Sequence, residues 1–313
     1  MKAIRLCGLT LSLLISSTLA QAEVVRVVHE SRDTCSAPCR KAAVVFIHGL
    51  MGSKETWQNG TSFWPNLLAT DPDIGNKVDV YRVDFDSYLF APGPSIVDVL
   101  EELQEQLDSL FERNQYSKIF LVGHSLGGNI ARAYLLHIKA KYGHRVLSRF
   151  PVTYTLGTPM LGSSLAPIAL FASQNQHLRV LLPIKVNDFQ QLLNLTLVDI
   201  MNKHHQTFCP QMSLFSAYEM QPMGIAGIVV SKESATIYST SARGFKKNHS
   251  TLVKPLNRSD LAYKWVADSM STCIDGKDYC SRPILPDCGR FPDGWPNPQF
   301  EVVPRLSTIS GTR

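Results

Sequence analysis

Charge is scarce in this 313-residue chain: Asp, Glu, Lys and Arg make up 18% of it, and the net charge is only +5. No run of Lys or Arg occurs, so the sequence offers no electrostatic footprint for nucleic acid or an acidic membrane. Beyond the N-terminal segment, no apolar stretch is long and unbroken enough to cross a bilayer, which takes about 20 residues. No internal repeat is found. Metal-ligand spacing is missing as well. The cysteines fall at CxxxC and then C-x6-C-x7-C with no histidine among the last three, a pattern that fits no common tetrahedral zinc site. What is present is ordinary: 44% hydrophobic and 9% aromatic residues exclude a disordered, collagen-like or low-complexity chain. A chain of this length buries roughly 75% of its unfolded surface, enough for one large core or two modest ones.

The N-terminus reads as an export signal. Lys2 and Arg5 precede an apolar run from Leu6 to Ile15, and Ala20-Gln21-Ala22 supplies a small-x-small cleavage pattern. The run is too short to span a bilayer. Residues 1–22 are therefore expected to be removed, leaving a protein that is secreted or periplasmic and begins at Glu23. Cys7 leaves with the signal. Cys35, Cys39, Cys209, Cys273, Cys280 and Cys288 remain, an even set that suggests disulfides in an oxidising compartment. Asn-x-Ser/Thr sequons stand at Asn59, Asn194, Asn248 and Asn257. A glycan at Asn248 would crowd His249, which favours a host that does not glycosylate.

The apolar rhythm then alternates. Ala42 to Ile47 is a continuous β-rich run, as in a strand buried on both faces. Val78 to Phe85, Ile119 to Val122 and Val152 to Leu156 are further strand candidates. Ile96, Leu100, Leu103, Leu107 and Leu110 mark one face of an amphipathic helix, with Ser95 available as its cap. Alternating strands and helices predict an α/β fold, a mostly parallel sheet with helices on both faces. Residues 23–272 form this domain. An apolar segment at about 161–210 reads either as an inserted cap over the site or as plain helical packing. A Cys/Pro-rich tail, residues 273–313, is expected to wrap the surface.

Chemistry enters at Gly123-His124-Ser125-Leu126-Gly127-Gly128, between a strand candidate and a helix candidate. This is the pattern of a strand-to-helix elbow that lifts a serine hydroxyl above the sheet, and it makes Ser125 the candidate nucleophile. Leu126 would place its backbone N–H at a helix start, facing a developing oxyanion. His48-Gly49-Leu50-Met51-Gly52 follows the first buried strand candidate, where a second donor is needed, and Leu50 N–H is assigned to it. His48 and His124 read as packed structural histidines. In folds built on such an elbow the triad runs serine, acid, histidine. Six histidines follow Ser125: His137, His144, His177, His204, His205 and His249. Only His249 comes after all the later strand candidates, so it is the expected base. For the acid, Glu219 at the end of a Leu214–Tyr218 strand candidate is favoured over Glu233, because a carboxylate that orients a histidine must be held rigidly. Glu233 also reads as a helix-capping carboxylate, and Asp188 and Asp199 rank lower.

Together these pieces resemble the serine esterase and lipase-like branch of the α/β-hydrolases, which includes serine-active-site-containing proteins and relatives of GPI inositol-deacylases. The matching motifs are HGLMGS with Thr56-Trp57, Trp64, Val83-Asp84-Phe85, GHSLGG, Gly157-Thr158-Pro159-Met160-Leu161-Gly162-Ser163, Ser216-Ala217-Tyr218-Glu219, VVSKESA and His249-Ser250-Thr251-Leu252-Val253-Lys254-Pro255. The resemblance implies an α/β-hydrolase fold and an acyl-ester hydrolase with Ser125 and His249 in its triad. It also supports Glu219, since a similar Tyr-Glu ends the corresponding family strand. In a related pattern the carboxylate directly precedes the VV pair; here no acidic residue stands in that place. No metal or cofactor is implied. The expected partner is an acyl-ester or lipid substrate, with transient membrane contact through the cap. An acyltransferase using the same triad, or a catalytically inactive binding or folding-factor protein, would share most of these motifs.

Overall fold

The computed structural model describes residues 22–27, 42–87, 96–114, 116–162, 188–204 and 212–277. Strands β1 (Glu23–Arg26) and β2 (Ala42–Ile47) open the chain, followed by a two-residue hairpin of β3 (Gln58–Asn59) and β4 (Ser62–Phe63). Next come helix α1 (Trp64–Ala69), β5 (Val78–Asp84), α2 (Ile96–Asn114), β6 (Lys118–His124), α3 (Leu126–Leu147) and β7 (Val152–Leu156). Helix α4 (Asp188–His204) is inserted before β8 (Ser213–Glu219). The short α5 (Lys232–Thr236), β9 (Ser241–Phe245) and α6 (Leu261–Ile274) complete the fold. Seven strands form one sheet in the order β1-β5-β2-β6-β7-β8-β9. All neighbours are parallel except β1, which runs antiparallel on β5.

The β2 run shows why the sheet is covered on both sides. Ala43, Val45 and Ile47 enter a core with Leu103 and Leu107 of α2 and Ile130 and Tyr134 of α3. Ala42, Val44 and Phe46 enter a second core with Trp57, Trp64 and, from α6, Tyr263 and Val266. Phe46 meets Trp57 edge-on with ring centroids 5.0 Å apart. Truncating either ring to alanine would cost about 3–5 kcal/mol. Every β2 residue faces one core or the other, which is why the sequence shows no polar alternation there.

The expected strands at Ala42–Ile47 and Val152–Leu156 fall where the sequence placed them, and that at Val78–Phe85 ends one residue earlier. The Leu214–Tyr218 candidate extends by one residue at each end. β1 and β9 had no counterpart in the sequence reading. Both are short, half-exposed edge strands with charged residues, which weakens the apolar signal.

Helix α4 is tied to α3 by a buried polar cluster. Arg132 of α3 is completely buried and faces no carboxylate among its hydrogen-bond partners. It donates to Asn129 Oδ1 at 2.9 Å and to Asn194 Oδ1. Burial lowers its pKa to about 9. Gln190 and Asn194 of α4 donate to the carbonyl of Met160 at 2.7 and 2.8 Å. On the same helix, Leu197 and Ile200 join the core. Asn194 is therefore a buried structural side chain, although it heads a sequon.

Residues 1–21, the tail beyond residue 277, Ser95, and every cysteine except Cys273 lie outside the described residues, as does most of the segment expected to form a cap. Cys273 is fully buried in α6. Among the described residues, no helix is long and apolar enough to cross a membrane.

Candidate active site

The site gathers at the C-terminal edge of the parallel strands. Ser125 stands between β6 and α3 with φ of 53°, a left-handed conformation that a residue with a side chain adopts at a cost. Its N–H donates to the carbonyl of Leu156 at 3.0 Å, and its own carbonyl accepts from Gly128 N–H at 3.1 Å. The glycines around it are required by proximity. A Cβ on Gly127 would run into the carbonyl oxygens of Ile47 and His48, and one on Gly123 would lie 2.5 Å from Gly128 Cα. The turn can be this sharp only if β2, β6 and α3 approach backbone to backbone.

The loop after β2 closes on the same turn. A Cβ on Gly49 would sit 2.7 Å from Ser125 Cβ and 3.3 Å from Leu126 N, so Gly49 presses directly on the elbow. Leu50 follows Gly49, and Leu126 is the first residue of α3, where backbone amides have no partner within the helix. Met51 also has positive φ, at 53°. His48 secures this loop. It is fully buried, stacked on Phe85 with centroids 4.1 Å apart, and accepts from Phe85 N–H at Nε2. That contact leaves Nδ1–H to donate to Gly49 O at 2.9 Å. Burial lowers its pKa to about 4, so the ring is neutral and structural, as expected.

Glu219 and His249 are brought together. His249 Nδ1 lies 2.6 Å from Glu219 Oε2, with the carboxylate side chain completely buried. The other oxygen, Oε1, accepts from Val229 N–H at 2.5 Å and Val230 N–H at 3.1 Å. A carboxylate only accepts, so Nδ1 carries a proton, and in the neutral ring the lone pair then lies on Nε2. Two contacts tie His249 to the elbow. His124 Nε2 lies 3.1 Å from the His249 carbonyl and donates to it, with ring centroids 4.8 Å apart. Gly157, next to the Leu156 that holds Ser125, would carry a Cβ 3.1 Å from His249 Nδ1. Burial, and next the neighbouring His249, push the His124 pKa well down, so His124 is neutral.

The competing carboxylates are elsewhere. Glu233 is exposed on α5, where Ser231 caps the helix by accepting from Ser234 N–H. Asp199 is half-buried, 3.9 Å from Lys139. Asp188 opens α4. Of the other histidines, His137 binds Asp108 on the outer helices. His144 and His204 lie in α3 and α4, and His177 and His205 lie outside the described residues. The sequence did not reveal the amides of Val229 and Val230 as anchors for the acid, nor the bond from His124 to His249. The VV pair was visible as a motif, but its backbone role was not. Among the described residues, no group of His, Cys, Asp and Glu could hold a metal ion.

A profile described as the alpha/beta hydrolase family matches residues 44–224. A Haemophilus influenzae protein is 35% identical over 96 residues, covering 30% of this chain and 33% of its own length. The 2-succinyl-6-hydroxy-2,4-cyclohexadiene-1-carboxylate synthase of Yersinia enterocolitica is 30% identical over 106 residues, covering 33% of this chain and 31% of its own length. The chain thus spans about a third of the length of these curated relatives. In structure, the mature lipase BlEst2 of Bacillus licheniformis superposes with a TM-score of 0.52 at 19% identity, over 80% of this chain and 97% of that one, a likeness of fold. With the profile covering more than half of the sequence, from β2 to just beyond β8, the chain belongs to the alpha/beta hydrolase family.

Proposed function

We propose that this protein is a serine hydrolase that cleaves carboxylic esters, acyl or lipid, through an acyl-enzyme. Ser125 is the nucleophile, His249 the general base and Glu219 the orienting acid. The 2.6 Å contact between Glu219 Oε2 and His249 Nδ1, tied to the elbow through His124 and Gly157, carries this reading. With Nδ1–H held by the carboxylate, Nε2 is the acceptor for the proton of Ser125 Oγ as that oxygen attacks the ester carbonyl. The imidazolium formed then faces a buried carboxylate that is itself fixed by two amides. Backbone N–H groups of Leu50 and Leu126 are assigned to the tetrahedral oxyanion. The proton passes from Nε2 to the leaving alcohol, and water repeats the sequence on the acyl-enzyme. These residues complete the reaction without a cofactor.

Residues 1–22 would direct export to the periplasm or outside the cell, followed by formation of disulfides in the mature chain. The even set of six cysteines that remains after removal of residues 1–22 supports this.

The test is hydrolysis of p-nitrophenyl esters of increasing acyl length by the purified mature chain, with Ser125→Ala as control and fluorophosphonate labelling in parallel. Labelling and turnover should both vanish in Ser125→Ala. Labelling that persists there rejects the nucleophile, and an unreactive wild type rejects the enzyme.

A further inference from the structure

The nine residues from Met220 to Ile228, directly after the candidate acid, contain no charged side chain. Their apolar groups face outward. Met220 is 53% exposed, Met223 37%, Ile228 38%, and Ile225 fully exposed. Single exposed aliphatics are common on protein surfaces, but four on one short loop are not. Nor does the loop show them by being loosely held. Met220 N–H and Gln221 N–H each donate to the Lys247 carbonyl at 3.1 Å, and Met223 N–H donates to Gly227 O at 2.8 Å. At its far end Val229 and Val230 are fixed to Glu219. The stem is anchored, and the aliphatic tip is presented.

The segments that follow the loop are cationic. Between residues 220 and 249 the charged residues are Lys232, Arg243, Lys246 and Lys247 against the single carboxylate Glu233. Lys232, Arg243 and Lys246 are exposed, whereas Lys247 is engaged with Asp260 at 2.5 Å. A net charge of +5 spread over the whole chain implied no acidic-membrane footprint, yet the fold collects a local excess beside an apolar projection. Protein partners favour pockets filled by aromatic and arginine anchors. An exposed tip of Ile and Met without an aromatic or arginine anchor suits a fluid apolar phase, with the cations left at the level of the headgroups.

We propose that the 220–228 loop, with Lys232, Arg243 and Lys246, is a docking surface for an anionic lipid bilayer. The loop leaves the sheet at the same edge as Ser125, so docking would set the candidate site against the membrane. This inference goes beyond the ester-hydrolase reading and does not depend on it. It is tested by co-sedimentation of full-length mature Ser125→Ala protein with phosphatidylcholine vesicles, with or without phosphatidylglycerol. Partition should be stronger on the anionic vesicles, weaken with salt, and fall about tenfold when Met223→Asp and Ile225→Asp are combined. A Lys232→Glu, Lys246→Glu chain should lose the preference for anionic lipid. In a chain that keeps Ser125, the loop changes should leave hydrolysis of a short soluble ester within about twofold, so loss of docking is separable from loss of the fold or of the catalytic reading. Absence of vesicle binding, equal binding to neutral vesicles, unchanged binding by the loop variant, or loop-dependent self-association in its place would each overturn the proposal.

Discussion

His124 Nε2 donates to the backbone carbonyl of His249 across 3.1 Å, so the residue before the candidate nucleophile holds the loop of the candidate base. One short contact sets two segments 125 residues apart in register. Gln at position 124 can present an amide donor near the place of Nε2, and Phe cannot. His124→Phe is expected to lower kcat about tenfold with KM little changed, near the net worth of one buried hydrogen bond. His124→Gln should recover most of the loss. Steady-state kinetics of both variants decide it: full kcat in His124→Phe would reduce the contact to packing.

Glu219→Gln tests the acid more sharply than removal would. The amide oxygen can still accept from Val229 and Val230, which turns the NH2 group toward His249 Nδ1. Nδ1 must then accept, the proton moves to Nε2, and the base is lost. The expected fall in kcat is about 10³–10⁴-fold, the cost of a wrong tautomer. Glu233→Gln, on the exposed face of α5, should change it by less than about twofold. The reverse ranking would reassign the acid.

Two adjacent glycines should fail differently. In Gly128→Ala the new methyl meets the side chain of Thr158, including Cβ and Cγ2 at 2.8 Å, and in Gly127→Ala it meets the carbonyls of Ile47 and His48. Overpacking of this kind costs about 1–3 kcal/mol. Trimming Thr158→Ala removes Oγ1 and Cγ2 but keeps Cβ, so it should restore part of the stability of Gly128→Ala and none of that of Gly127→Ala. Urea midpoints of the four chains check this.

Acid should weaken the fold through the buried imidazoles. His48 has its folded pKa lowered from 6.5 to about 4, so between those values the unfolded chain binds the proton and the native one does not. Stability is therefore intact above about pH 6.5 and declines as pH falls toward 4, by on the order of 3 kcal/mol for this group. His124, whose pKa is lowered for the same reason, acts in the same direction. Urea midpoints from pH 7 to 4 should show the decline, and His48→Gln should flatten it. A profile unchanged by that substitution would remove His48 as its source.

Much of this was legible because buried parallel strands advertise themselves. β2 and β7 are wholly apolar or β-branched, and the elbow between β6 and α3 carries glycines that no other geometry demands so closely. The sequence order isolated His249, and the position of Glu219 at a strand end favoured it. It could not exclude Glu233, because the deciding contacts come from the backbone of Val229 and Val230, which any residue but proline supplies. β9, with Ser241, Ala242, Arg243, Gly244 and Phe245, was hidden for the opposite reason: an edge strand needs little apolar character. The charge around the 220–228 loop was equally invisible, since its members come from separate segments.

The burial of Asn194 has a consequence for producing the protein. Its side-chain amide donates to Met160 O inside the α3–α4 contact, where no sugar fits. In a cell that glycosylates nascent chains, the Asn194-Leu195-Thr196 sequon is exposed before that contact forms. A glycan attached then would bar α4 from its seat, and the chain would be retained and degraded. A bacterial host avoids that fate, and in a yeast or insect host Thr196→Ala would restore the yield.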